Sequence, residues 1–258
     1  MKKGLSGNLL KVIAVLTMLI DHIGVFFSYS MSYEVYYIFR MIGRISMPLY
    51  AFLIVQGYFH TSNFLKYLKR LGILGIATQI VLVTGYLINQ AVLPSIIVSE
   101  TYKNWNVVVS FFFSLLLLKA LDFDKPFIKK TFKEIDILLR IATVILVVFL
   151  YMNFAFDYEG LIPIICIVFF IGEKFIQKKK LQKHIKNYVR LVCATIVWII
   201  LTSDMVIEFY ALIDIILLYF YNEEVYKKSN WIRNLFYLFY PIHFIVLYIV
   251  ALIGGRLW

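Results

Sequence analysis

Long apolar runs separated by short polar stretches dominate the chain. A helix needs about 20 predominantly apolar residues to cross ~30 Å of hydrocarbon. Runs of roughly that length recur at 8–29, 35–58, 69–89, 106–122, 136–153, 160–176, 187–203, 205–221 and 235–255. The pattern predicts an all-α, polytopic transmembrane helix bundle of about nine spans. Only Thr202, Ser203 and Asp204 separate the seventh run from the eighth. The first run carries Asp21 and His22 and is followed by no small-residue cleavage site, so it reads as a span and not as a cleaved signal peptide. With no internal repeat, long linker or low-complexity tract, residues 1–258 read as a single integral membrane domain.

Composition supports the bilayer as solvent. Hydrophobic residues make up 62% of the 258 positions and charged residues 16%, and mean hydropathy is +0.84. A soluble fold of this size has too little interior for so much apolar side chain. The two cysteines, Cys166 and Cys193, lie inside apolar runs and read as small core residues.

The formal net charge of +11 would suggest nucleic acid in a soluble protein, but here the charge sits in alternate loops. Lys2 and Lys3 precede the first run. Lys66, Lys69 and Arg70 follow the second. Lys125, Lys129, Lys130 and Lys133 follow the fourth, and the stretch 174–190 follows the sixth. Lys227, Lys228 and Arg233 follow the eighth. The intervening loops hold Glu34, Glu100, Asp157, Glu159 and Asp204, with Lys103 the exception. Basic loops face the cytoplasm, which predicts a cell-membrane protein with its N-terminus inside and its C-terminus outside, and no nucleic-acid partner. The 174–190 stretch reads as a basic amphipathic surface loop suited to anionic membrane lipids.

Ionisable groups within spans are costly and mark functional sites by default. Asp21 and His22 in the first run, Arg40 and Arg44 in the second and His243 in the ninth stand out, with Asp214 a weaker case. Helical rise puts His22 roughly 10 Å below the outer surface and Arg40 and Arg44 roughly 8 and 14 Å deep, in one layer of the outer half. Asp21 and His22 point about 100° apart. That leaves Asp21 to pair with an arginine across a helix interface, either as a structural pair or as part of a site, and His22 free for chemistry. Pro241, two residues before His243, predicts a broken helix lining a cavity. His60 and His184 read as solvated surface residues. No phosphate-binding glycine loop, nucleophile elbow or zinc motif is present, and the four histidines are too scattered for a metal site.

Several blocks carry a family resemblance: Leu10–Ala14 through Met18–Gly24, Arg40–Phe52 continuing to Gly57–Thr61, Lys66–Leu71, Asp157–Gly160 and Leu235–His243. In these the chain resembles the TraX family, membrane proteins named for the acetylation of conjugative pilin, which is similar in turn to a wider group of membrane acyltransferases. The resemblance implies movement of an acetyl group from cytoplasmic acetyl-CoA to an extracytoplasmic acceptor: a pilin, another secreted peptide or a surface glycan. On that reading His22 is the general base or a transient acetyl carrier, Asp21 orients or balances the site, and His243 with Tyr240 completes the cavity. Arg40 and Arg44 stabilise an oxyanion or hold the donor, while Lys66, Lys69 and Arg70 suit the phosphates of the CoA nucleotide. Two rivals remain at this point: a transporter, since intramembrane charges also mark substrate pathways, and a non-catalytic pilus or secretion accessory.

Overall fold

Each apolar run that the structure covers folds into helix. The structure, a computed structural model, describes residues 4–92, 103–128, 130–202, 211–223 and 230–254, without the side chains of 130, 159, 202 and 230–234. Expectations for Lys2, Lys3, Glu100, Lys129, Asp204, Lys227, Lys228 and the start of the eighth run lie outside the described residues. Those for the Lys130, Glu159 and Arg233 side chains do too.

The described helices are α1 (Gly7–Phe26), α2 (Tyr33–Gly43), α3 (Ser46–His60), α4 (Phe64–Val92), α5 (Val107–Leu121), α6 (Lys133–Asn153), α7 (Leu161–Lys179), α8 (Lys183–Thr202), α9 (Ile213–Tyr219) and α10 (Asn230–Gly254). Local chemistry sets several ends. Ser6 and Ser32 accept from the Leu9 and Val35 amides and cap α1 and α2, and Asn106 caps α5 through the Val108 amide. Lys180, left-handed at φ 47°, closes α7.

Among the described residues, six segments are long and apolar enough to cross a membrane: Gly7–Phe26, Tyr33–His60, Phe64–Val92, Lys133–Asn153, Lys183–Leu201 and Leu235–Gly254. Leu16, Ile80, Leu146 and Ile253 on these helices are each at least half exposed, a surface suited to lipid and not to water. The chain is an all-α, multi-pass membrane protein. α1 packs on α2, α3 and α10; α10 on α4; α5 on α4, α6 and α7; and α7 on α3 and α8.

Three sequence expectations change. The 35–58 run is two helices, not one, because Pro48 has no amide for the Arg44 carbonyl and its ring crowds that group. The chain tightens there: the Arg44 amide reaches both the Arg40 and Met41 carbonyls, and Ser46 Oγ donates to the Gly43 carbonyl. The 174–190 stretch is mostly helix, not a surface loop. α7 continues to Lys179 and α8 starts at Lys183, and Arg190 is buried because Glu173 and Glu223 supply its counter-charge at 2.6 Å each. Finally, α10 runs unbroken through Pro241.

Ion pairs gather the basic ends of alternate helices. Asp122 after α5 accepts from Tyr58 of α3 at 2.8 Å and from Lys174 of α7 at 2.6 Å. Leu5, before α1, exchanges backbone hydrogen bonds with Phe220 and Asn222 beyond α9. Arg190 joins α7 and α8 to Glu223, which also pairs with Lys186 at 3.0 Å.

Candidate active site

The site begins with two adjacent residues on α1 that serve two different neighbours. Asp21 faces α2. Its Oδ2 accepts from Arg40 at 2.7 Å and its Oδ1 from Arg44 at 3.3 Å. This approach needs Gly43, since a Cβ there would occupy the space of the Asp21 carboxylate. His22 faces α10 instead. Its Nδ1 lies 2.8 Å from His243 Nε2, the ring planes are 6° apart, and Phe244 packs against both imidazoles. His243 is 4% exposed, and its Nδ1 donates to the Phe239 carbonyl at 3.1 Å. Tyr240 stands edge-on to the same ring.

Helical rise places these groups at one level. Asp21 is about 21 Å from the start of α1, Arg44 about 24 Å from the end of α3 and His243 about 20 Å from the start of α10. A second wall meets them there. The Arg44 guanidinium lies 5.8 Å from the Tyr158 ring, in the 3-10 turn Asp157–Gly160. That turn is tied to the start of α5 by a backbone bridge between Trp105 and Phe156. Asn106 in turn donates to the Gly75 carbonyl and to Gln79 Oε1, both at 2.9 Å. Gly75 is only about 17 Å along α4, so the turn sits at site depth while α4 continues well past it. α5, with 15 residues, is short for this reason.

The structure therefore brings together Asp21, His22, Arg40, Arg44 and His243. It does not bring Lys66, Lys69 or Arg70 to them: these lie near the start of α4, at least about 10 Å lower along the helices. Lys66 and Lys69 are exposed, and Arg70 is partly buried with its guanidinium 5.9 Å from the Tyr237 ring of α10. Asp214 is buried in the first turn of α9. His60 is exposed, its Nδ1 2.8 Å from the Gln56 carbonyl, and His184 is exposed. Sequence reasoning gave no role to Tyr158 or Phe244. Their one signal was position, next to Asp157 in a polar turn and next to His243 in an aromatic run. Among the described residues, no group of three His, Cys, Asp or Glu side chains converges as a metal site would require.

Fold and site together define a class: a multi-pass membrane protein that holds ionisable side chains from both ends of its chain within one bundle. Sequence comparison supplies the family. The TraX protein family profile matches residues 6–251, and the chain belongs to that family. A probable fimbrial assembly protein FimC, serogroup H1, of Dichelobacter nodosus is 41% identical over 70 residues, 27% of this chain and 28% of that protein. The match thus spans little more than a quarter of the relative's length. No solved structure matches the chain.

Proposed function

We propose that this protein is a transmembrane acyltransferase that moves an acetyl group from cytoplasmic acetyl-CoA to an acceptor outside the cell membrane. The observation that carries the reading is the His22–His243 pair, brought from opposite ends of the sequence to one half-buried contact beside the Asp21–Arg40–Arg44 cluster. A histidine gains and loses a proton near neutral pH, which suits deprotonation of an acceptor. The arginines beside it suit a developing oxyanion or the donor's carbonyl. Counting α5, α7 and the eighth apolar run of the sequence as crossings beside the six long segments gives nine, with the N-terminus inside and the C-terminus outside. The gathering of the basic helix ends supports that orientation. Lys66, Lys69 and Arg70 then lie on the cytoplasmic side, where the phosphates of the CoA nucleotide arrive. The fimbrial name of the relative favours a pilin or another secreted peptide as acceptor over a glycan.

The chemistry balances with the chain's own groups. His22 takes the acceptor's proton, the acceptor lone pair attacks the thioester carbonyl, and the carbon–sulfur bond breaks as the tetrahedral adduct collapses. The leaving thiolate then recovers a proton from His22. The transporter reading rests on the intramembrane charges; a helix broken at Pro241 would have added to it, and α10 is continuous there.

Intact-mass measurement of secreted and surface products from cells with and without the gene tests the reading. An acetyl increment that depends on the gene is the expected result, together with turnover of acetyl-CoA by the purified protein. Unchanged products and no turnover would overturn it, and a phenotype that survives His22→Ala would leave the accessory role.

A further inference from the structure

The hydrogen-bond chain through the two histidines fixes where each proton sits. His243 Nδ1 faces the Phe239 carbonyl at 3.1 Å. A carbonyl oxygen only accepts, so His243 Nδ1 carries a hydrogen. A neutral imidazole has one N–H, so His243 Nε2 presents a lone pair. That lone pair faces His22 Nδ1 at 2.8 Å, a distance that requires a hydrogen between the two nitrogens. The hydrogen belongs to His22 Nδ1, and in the neutral His22 ring that leaves Nε2 bare.

The alternatives conflict with the surroundings. Placing the hydrogen on His243 Nε2 while keeping the ring neutral would turn the Nδ1 lone pair onto the Phe239 oxygen. A doubly protonated His243 would be a cation 4% exposed. Its described ring contacts are Phe239, Tyr240, Phe244 and His22, and the nearby Asp21 carboxylate is taken up by Arg40 and Arg44. A buried cation with no carboxylate paired to it is strongly disfavoured. Phe239 and Phe244, flanking the rings, hold them against rotation out of this arrangement.

We propose that His243 is a positioning residue that locks His22 in the Nδ1–H tautomer and so keeps His22 Nε2 as the bare base. The proposal rests on the acetyl-transfer reading for its use and on geometry for its existence. When His22 Nε2 takes the acceptor's proton, both His22 nitrogens carry hydrogen, and the Nδ1–H stays bonded to the His243 lone pair. The imidazolium is thereby held in the ring plane it had before. Returning the proton to the thiolate restores the starting tautomer. The charged and titratable groups around the pair are Asp21 on α1, Arg40 and Arg44 at the end of α2, Tyr50 on α3, Tyr240 on α10, and Asp157 and Tyr158 in the 157–160 turn.

Two substitutions separate positioning from mere structure. Gln places an oxygen where His243 Nε2 stands and can accept from His22, but cannot donate to Phe239. Asn places its amide where Nδ1 stands and can donate to Phe239, but leaves His22 Nδ1 without an acceptor. His243→Asn is expected to lower kcat about 100-fold or more with KM little changed, as for a base in its wrong tautomer. His243→Gln is expected to recover at least about tenfold over Asn. The reverse order would overturn the proposal, because it would mean that the Phe239 bond is what matters.

Nitrogen-15 spectra of the histidine-labelled, full-length protein in lipid give a readout independent of turnover. The chain has four histidines, so substitution assigns each signal. His22 is expected to show a protonated Nδ1 and a bare Nε2, and to change tautomer in His243→Asn. A wild-type His22 protonated on Nε2 overturns the proposal even if the enzyme acetylates. The expected tautomer in a protein that never turns over acetyl-CoA keeps the geometry and defeats the acetyl-transfer reading instead.

Discussion

The bundle holds two polar centres of different kinds. At the basic ends of the helices, Glu173, Arg190, Glu223 and Lys186 form a chain of fixed charges, each matched by an opposite one at 3.0 Å or less. Within the membrane layer, Asp21 takes two guanidiniums on one side of α1, while His22 on the next residue meets a second imidazole. The first centre is built of carboxylates and cations paired with one another, and it joins α7, α8 and the end of α9. The second pairs two imidazoles, and it joins α1 to α10. Matched fixed charges hold helices in register; exchangeable protons beside them can do chemistry. The contrast therefore predicts that damage to the first centre costs folding, and that damage to the second costs turnover.

The largest effect belongs to His22. His22→Ala is expected to leave an inserted, folded protein whose acetyl transfer falls at least about 100-fold. His22→Asn is expected to fail equally, since an amide can hydrogen-bond to His243 but cannot carry the acceptor's proton. Transfer of labelled acetyl from acetyl-CoA, normalised to folded protein, reads this out. Near-normal transfer in His22→Asn would reduce the histidine pair to a second structural centre and erase the contrast.

Arg190 gives the opposite signature. Its side chain is 3% exposed and that of Glu173 beside it 5%. Arg190→Ala strands that carboxylate, which costs about 3–5 kcal/mol when one partner of a buried pair is removed. The expected result is a large drop in thermal midpoint in detergent, with activity per folded molecule retained. Removing both charges with Glu173→Leu and Arg190→Met should return most of the stability. Lost activity without lost stability would show that this centre also serves catalysis.

Gly43 tests how tightly the α1–α2 contact is built. Gly43→Ala pushes a methyl into the Asp21 carboxylate, an overpacking expected to cost about 1–3 kcal/mol. It should also lower turnover, because Asp21 and His22 share one turn of α1. Gly254→Ala, where an added Cβ meets nothing within 4 Å, is the matched control. Equal behaviour of the two variants would mean that α2 shifts to accommodate the methyl and that Asp21 is not held by it.

These two centres were not equally legible in the sequence. Asp21, His22, Arg40, Arg44 and His243 stood out because ionisable side chains are conspicuous in apolar runs, and helical rise sufficed to place them at one depth. Which of them touch was not legible: the His22–His243 contact spans 221 positions and depends on how α1 and α10 rotate against each other, which no periodicity encodes. The basic-end centre was hidden for the opposite reason. Lys186 and Arg190 looked like ordinary loop cations, because charge is unremarkable near a span end, and only the fold brings Glu173 and Glu223 to them. Pro48 shows the limit for backbone: its effect on the Arg44 carbonyl splits the second run, yet apolarity alone is continuous across it. Tyr158 owes its place to the short α5, whose start is set by the Asn106 cap and the Gln79 contact and not by the length of its apolar run.

The smallest effect is a pH dependence confined to the basic-end centre, and it lets the contrast be drawn within one protein. Glu223 is partly exposed and lies beyond α9. Burial pushes its carboxyl upward, but hydrogen bonds from Arg190 and Lys186 outweigh that and hold it below the ordinary glutamate value. A carboxylate depressed in the folded state contributes stability that is fully present above the unfolded value, about 4.3, and is lost as pH falls through the lower folded value. Solvent and salt screen a pair this exposed, so the contribution at neutral pH is below about 1 kcal/mol. Glu223→Gln is therefore expected to melt slightly lower than wild type at pH 7. The gap should narrow steadily below about pH 4 and shrink in high salt. Thermal midpoints of both proteins across pH 3–7 measure it. Acetyl transfer per folded molecule of Glu223→Gln should stay at the wild-type level at pH 7. A loss of transfer without a matching loss of stability would mean that the two centres are coupled through the bundle, and the separation of holding from chemistry fails.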